Sequence, residues 1–209
     1  MNLYVLCVLL IIAVNFTREG VTRIEADKLL RHEDINYQNF ERSLQEILKS
    51  KKVSPIIVDS KTLLVIDGHH RLAALRSLGY RRIPVMLVDY DSPTVKVYGW
   101  RRYFSPELLA KTIIKNFQSE GKFCAEYEKI RICEDNLYSL YWKLDSLENY
   151  LSSIGFCVQK NQEHGLKPPI LTKEYVLEIA KKGLLFPPKS TRHTYDFIIP
   201  KYLISVECL

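Results

Sequence analysis

The sequence predicts an α+β protein: a small mixed sheet packed by helices, with a helical elaboration from about residue 119 to 170. Three observations lead there. Short β-rich runs and amphipathic helical stretches are interspersed from Val21 to Phe117. Longer helical periods follow at 137–154 and 173–182. The 209 residues are 47% hydrophobic with only 8 Gly and 9 Pro, enough apolar matter for a core that needs no disulfide or metal to form.

The elements follow in order. Val21-Thr-Arg-Ile24 alternates as a short strand. Residues 36–49 place Phe40, Leu44, Ile47 and Leu48 at helical spacing. Two β-rich runs, 55–58 and 62–66, flank the polar turn Asp59-Ser60-Lys61. Gly68 opens a second helix with Leu72, Ala73, Leu75 and Leu78 apolar, and Gly79 ends it. Strands at 83–90 and 94–98 come next. Pro106 to Phe117 reads as a third helix with Leu109, Ile113 and Phe117 on one stripe. Leu137, Leu140, Tyr141, Leu144, Leu147, Leu151 and Ile154 keep the helical period, and 159–169 is a polar loop. Thr172 caps a last helix with Val176, Leu177 and Ala180 inward and Gly183 at its end.

The net charge of +6 suits a phosphate-bearing partner, from nucleotide to nucleic acid, without choosing between them. The 5 cysteines are odd in number and far apart, with no C-x-x-C pair. They are expected to remain small buried thiols in a reducing cytosol rather than form a disulfide framework or a zinc site. Leu3–Val14 is an apolar run of 12 residues, short of the roughly 20 that span a bilayer and without a positive segment before it. It is expected to be a membrane-touching segment or an extension from a start codon placed too far upstream, not a spanning helix.

The densest polar cluster is Asp67-Gly68-His69-His70-Arg71, where a β run stops and a helix starts. Free N–H groups and the positive end of the helix dipole make that place an anion site. Gly68 lets backbone approach a ligand, and two imidazoles and a guanidinium add donors suited to phosphate. Asp67 is a candidate ligand for a Mg²⁺ that bridges phosphates. The plain alternative is a capping Asp followed by surface His and Arg.

These residues carry a resemblance. VIDGHHRLAALRSLGYRRIPV is similar to the core motif of the ParB/sulfiredoxin-like superfamily, and its D-G-H-H-R form is most similar to the archaeal free L-serine kinases and their relatives. His32-Glu33 before the first helix, Tyr98-Gly99-Trp100, and Pro188-Lys189-Ser190-Thr191-Arg192-His193 match the same subfamily. The resemblance spans residues 21–118 and 170–200. With the apolar extension at 1–20 set apart, it implies a ParB/sulfiredoxin-like nucleotide-binding domain at 21–118 and a helical, C-terminally substrate-closing part at 119–209.

The resemblance further implies a cytoplasmic kinase that passes a phosphoryl group from ADP or ATP to free L-serine, giving O-phospho-L-serine for serine or cysteine metabolism. In that reading Glu33 is the general base, with Asp34 the alternative carboxylate. Gly68, His69, His70 and Arg71 hold the nucleotide phosphates and Asp67 ligates Mg²⁺. Trp100, Lys189, Thr191 and His193 contact the amino acid, while Arg101 and Arg102 stay solvated or cover the nucleotide. His69 stands where sulfiredoxins carry a catalytic Cys, which excludes thiol–phosphate chemistry. No recognition helix is apparent, so nucleic acid is not an expected partner, nor is stable membrane insertion. The competing reading is a ParB-like nucleotide-binding regulator or DNA-associated protein without kinase activity.

Overall fold

A computed structural model describes residues 20–199 and 202–208, and the apolar run at 3–14 lies outside them. The chain divides into two units. Residues 20–29, 38–89 and 202–208 make the first, and residues 30–37 and 90–199 the second. The division cuts the chain differently from the expected boundaries at 20/21 and 118/119.

In the first unit the β-rich runs become β1 (Val21–Glu25), β2 (Lys52–Val53), β3 (Ile56–Asp59), β4 (Val65–Asp67) and β5 (Arg82–Val88). The periodic stretches become helices α1 (Tyr37–Ser50) and α2 (His69–Ser77). The sheet order is β1-β5-β3-β4. β5 runs antiparallel to β1 and parallel to β3, and β4 runs antiparallel to β3. All four residues of β3 are buried, as a strand covered on both faces requires. Ile56, Val58, Val65, Leu72, Leu75 and Ile83 fill the core around it.

The second unit holds β6 (Val95–Tyr98), β7 (Arg101–Ser105), α3 (Glu107–Ile114), β8 (Phe123–Tyr127), β9 (Ile130–Glu134), α4 (Leu137–Ser153), β10 (Cys157–Asn161), α5 (Lys173–Lys181) and β11 (Arg192–Tyr195). Antiparallel pairs join β7 to β10, β6 to β11 and β8 to β9. The stripe Leu140, Leu144, Leu147 and Leu151 of α4 shares a core with Ala125 and Ile132 of the hairpin. Asn136 caps α4 by accepting from the Ser139 amide, and Thr172 caps α5 through the Tyr175 amide. The chain then returns to the first unit, where β12 (Ile204–Ser205) pairs with β2 and Val206 enters the core.

The mixed α+β sheet with its helices is as expected, and four details differ. The stretch 119–170 holds one helix between a hairpin and a strand, not a helical elaboration. Its hairpin turns on Glu128-Lys129, with Glu128 at φ +57°, and so lacks the Asn-Gly or Asp-Gly signal that marks such turns. The buried face of α3 is Ala110 and Ile114, while Leu109 stays exposed.

The cysteine expectation also fails: Cys124 and Cys133 are joined by a disulfide. They are directly opposed across β8 and β9, and the Cys133 amide and carbonyl bond to the Ser119 hydroxyl instead of to β8. Turned away from the ladder, the pair sits as close as non-hydrogen-bonded strand partners do, with Cα atoms 4.0 Å apart. Cys157 is a free, exposed thiol.

Finally, Arg102 is not solvated. The alternation of β7 turns Arg102 and Phe104 inward, and both are 0% exposed. Arg102 Nε donates to Glu148 Oε1 at 2.6 Å, so the buried cation has a partner.

On the same helix as Glu148, burial raises the pKa of Asp145, and the Glu148 charge adds to the effect. A carboxyl whose folded pKa lies above its unfolded value is penalised once ionised, and the penalty vanishes below the unfolded value. Asp145→Asn keeps an acceptor for the Asn149 amide, which now donates to Asp145 Oδ2. The variant is expected to melt above the parent at pH 7, with the gain shrinking to nothing as pH falls below 3.8. Paired thermal melts across pH 3–8 check this.

Candidate active site

Two polar clusters hold the residues singled out by the sequence, one in each unit.

In the first unit, β4 ends at Asp67, Gly68 turns the chain at φ +102°, and α2 begins at His69. No side chain caps this helix, and its first turn carries no acidic residue, so its leading N–H groups face an electropositive end. A Cβ on Gly68 would stand 2.1 Å from Ile56 Cγ2 and 3.0 Å from Arg71 Nη2, so both the dihedral and the space demand glycine. His69 is buried and His70 half-buried.

Arg71 acts here as a brace. Its Nη1 donates to the carbonyls of Ser54 and Pro55, and its Nη2 to Asp67 Oδ2 at 2.6 Å. Among the described residues, no three His, Cys, Asp or Glu side chains gather as a metal cage. Asp67 offers a carboxylate 60% exposed and engaged through Oδ2 alone. One hard oxygen donor suits a Mg²⁺ carried mainly by water and phosphate, and the residues present fit that ion.

In the second unit, residues 32–34 lie beside the segment 186–191. The Phe186 amide donates to the His32 carbonyl, and the Asp34 amide to the Phe186 carbonyl, both at 2.8 Å. That pairing brings the Glu33 carboxylate onto the loop. Oε1 accepts from the Thr191 amide and the Thr191 hydroxyl, each at 2.6 Å, and Oε2 accepts from the Lys189 amide at 3.1 Å. Lys189 reaches this position at φ +57°. The single hydroxyl proton of Thr191 thus goes to Glu33, so Thr191 Oγ1 accepts from His32, and the His32 nitrogen at 3.0 Å, Nε2, carries the proton.

Trp100 Nε1 donates to the Thr191 carbonyl at 2.9 Å, and the Arg192 guanidinium lies over its ring. His193 on β11 meets the Tyr90 hydroxyl through Nε2 at 2.9 Å and packs edge-on against His32. The Lys189 side chain is exposed, and its ammonium has no partner among the described residues. Asp34 Oδ1 accepts from the amide of Ile35.

The structure therefore brings Glu33, Trp100, Lys189, Thr191 and His193 together in the second unit. It gathers Asp67, Gly68, His69, His70 and Arg71 in the first. Thr191 is 8% exposed and carries the Glu33 carboxylate. Sequence reasoning missed Tyr90, which is 2% exposed with the Lys173 ammonium over its ring. The sequence offered Tyr90 only as the end of a strand.

No family model matches the chain. It is 38% identical over 189 residues to a ParB-like protein of Sulfolobus acidocaldarius, covering 88% of this chain and 95% of that protein. It is 29% identical to an ATP-dependent L-serine kinase of Staphylothermus marinus, covering 84% of this chain and 85% of that one. To an ADP-dependent L-serine kinase of Thermococcus kodakarensis it is 26% identical, covering 88% and 90%. Among solved structures, a glutamate-to-glutamine mutant of free serine kinase in complex with AMP superposes with a TM-score of 0.73 at 24% identity, over 91% of this chain and 94% of that one. That likeness shows a shared fold.

Gly68→Ala tests how tightly the first cluster is built. A side chain at a positive φ and an overpacked Ile56 contact each cost about 1–3 kcal/mol. The variant is expected to lose about 3 kcal/mol of stability, read as a lower urea midpoint at unchanged slope.

Proposed function

The chain belongs to the ParB-like protein family, and from that premise we propose that it is a phosphotransferase moving a phosphoryl group from ADP or ATP to free L-serine. The relatives named L-serine kinases, one ATP-dependent and one ADP-dependent, support the reading. The observation that carries it is the Glu33 carboxylate, whose Oε2 accepts from the amide of Lys189, a residue whose exposed ammonium has no partner among the described residues. A carboxylate offers about four acceptor positions, and three of those on Glu33 are filled. One remains for an acceptor hydroxyl, and the same loop carries in Lys189 a cation suited to an amino-acid carboxylate.

In this proposal the serine hydroxyl oxygen attacks the terminal phosphorus and its proton passes to Glu33 Oε2. The bond from that phosphorus to the bridging oxygen breaks, and AMP or ADP leaves with the electron pair. The α2 N-terminus, with Gly68, His69, His70 and Arg71, holds the phosphates. Asp67 would hold Mg²⁺, which neutralises charge on the transferred group when bound. Trp100 and His193 bound the amino acid, and Thr191 keeps the base aimed. A cytoplasmic place of action and a role in serine or cysteine metabolism belong to the same proposal.

One observation favours a second reading. The relative at 38% identity is named for ParB rather than for a kinase, which fits a nucleotide-binding regulator without phosphotransfer. Incubation with Mg²⁺, L-serine and either ATP or ADP, followed by mass detection of O-phosphoserine, separates the two. Glu33→Gln is expected to lower kcat by about 10²-fold, with nucleotide Kd unmoved. Asp34→Asn is expected to stay near the parent. Slow turnover in Asp34→Asn alone moves the base to Asp34. Nucleotide binding without phosphoserine, together with salt-sensitive binding of duplex DNA, supports the regulator.

A further inference from the structure

We propose that Arg102, Glu148 and Lys160 form a buried ionic brace that sets the distance between Trp100 and the 188–191 loop, and so act as positioning residues for the acceptor amino acid. The substrate named here rests on the functional reading above; the brace itself rests on geometry.

The hydrogen bonds run without a break. Arg102 Nη1 donates to the Trp100 carbonyl at 3.0 Å, and Arg102 Nε to Glu148 Oε1 at 2.6 Å. Glu148 Oε2 meets the Lys160 ammonium at 3.2 Å, and that ammonium donates to the Pro188 carbonyl at 2.7 Å. Pro188 directly precedes Lys189, whose amide holds Glu33. At the other end of the loop the Trp100 indole grips the Thr191 carbonyl. Trp100 is thus tied to the loop twice, through its own ring and through the charges of buried Arg102 and Glu148 and largely covered Lys160.

The layout is economical for position and costly for stability. Arg102 and Lys160 are register partners across β7 and β10, where like charges repel. Glu148 from α4 meets both and cancels one of the two charges. The remaining cation is still desolvated, and burial lowers the pKa of Lys160. Arg102 Nη2 is buried with no hydrogen-bond partner among the described residues. Apolar residues of similar volume are often as stable as such a group or more so. Both outer ends of this one reach backbone carbonyls that frame the acceptor residues, where an apolar replacement gives no fixed distance.

The test uses Lys160→Met and Lys160→Arg in the full chain, with urea midpoints to show that both are folded. Removing one charge-assisted bond to Pro188 is expected to raise the KM for serine about tenfold, with nucleotide Kd unchanged. It should also shift the Trp100 indole N–H resonance, assigned against Trp142→Phe. Lys160→Arg should recover most of both effects. A role in stability alone predicts a lower urea midpoint with serine KM and indole resonance unmoved, and that result overturns the brace. If the parent makes no phosphoserine, the functional reading falls by itself. The indole shift then decides the brace.

Discussion

Glu33 is held to Lys189 and Thr191 by three hydrogen bonds that reach across more than 150 residues of chain. A carboxylate accepting from two amides and a hydroxyl is a charge-assisted contact, stronger than the neutral bonds of a strand ladder. The rest of the second cluster depends on it. Because Thr191 gives its hydroxyl proton to Glu33, His32 must protonate at Nε2. Because the loop is fixed at Thr191, its carbonyl can receive the Trp100 indole. The backbone exchange between residues 32–34 and Phe186 supplies the frame, and Phe186 itself is locked among Tyr138, Tyr141 and Tyr175. Aromatic packing at Phe186 thus serves a polar site that begins three residues later, at Lys189.

The first unit solves a different problem with the opposite means. There backbone, not side chains, makes the site. A strand buried on both faces presses Ile56 against the turn, and only glycine fits at position 68. The helix that follows begins uncapped. Arg71, a phosphate donor by its type, also secures Asp67 and the link between β2 and β3. Any anion at this helix end meets N–H groups already ordered by the sheet.

The fold was legible where a period was long or a terminator strong. Gly68, Gly79, Thr172 and Gly183 bounded their helices because each does something no other residue does as easily there. The hairpin 123–134 was hidden by a Glu-Lys turn, and its disulfide by the failure to see the hairpin. β7 was hidden because an arginine was read as solvated. A charged residue on a short strand gives no local sign of burial, since its partner, Glu148, lies 46 residues on. The site was legible as residue types in a familiar arrangement, but the contacts that hold those residues were not. That Thr191 holds the Glu33 carboxylate, and that Arg71 ties Asp67 to the β2–β3 link, are facts of three-dimensional pairing.

The return of residues 202–208 to the first unit has a consequence for synthesis. The second unit is complete in the chain by Ile199, while the first still lacks β12 and Val206, which is 2% exposed in its core. On a ribosome the usual order, in which the N-terminal unit finishes first, is reversed. The unit that begins emerging first must wait, with β2 unpaired, until residues 204–206 have followed.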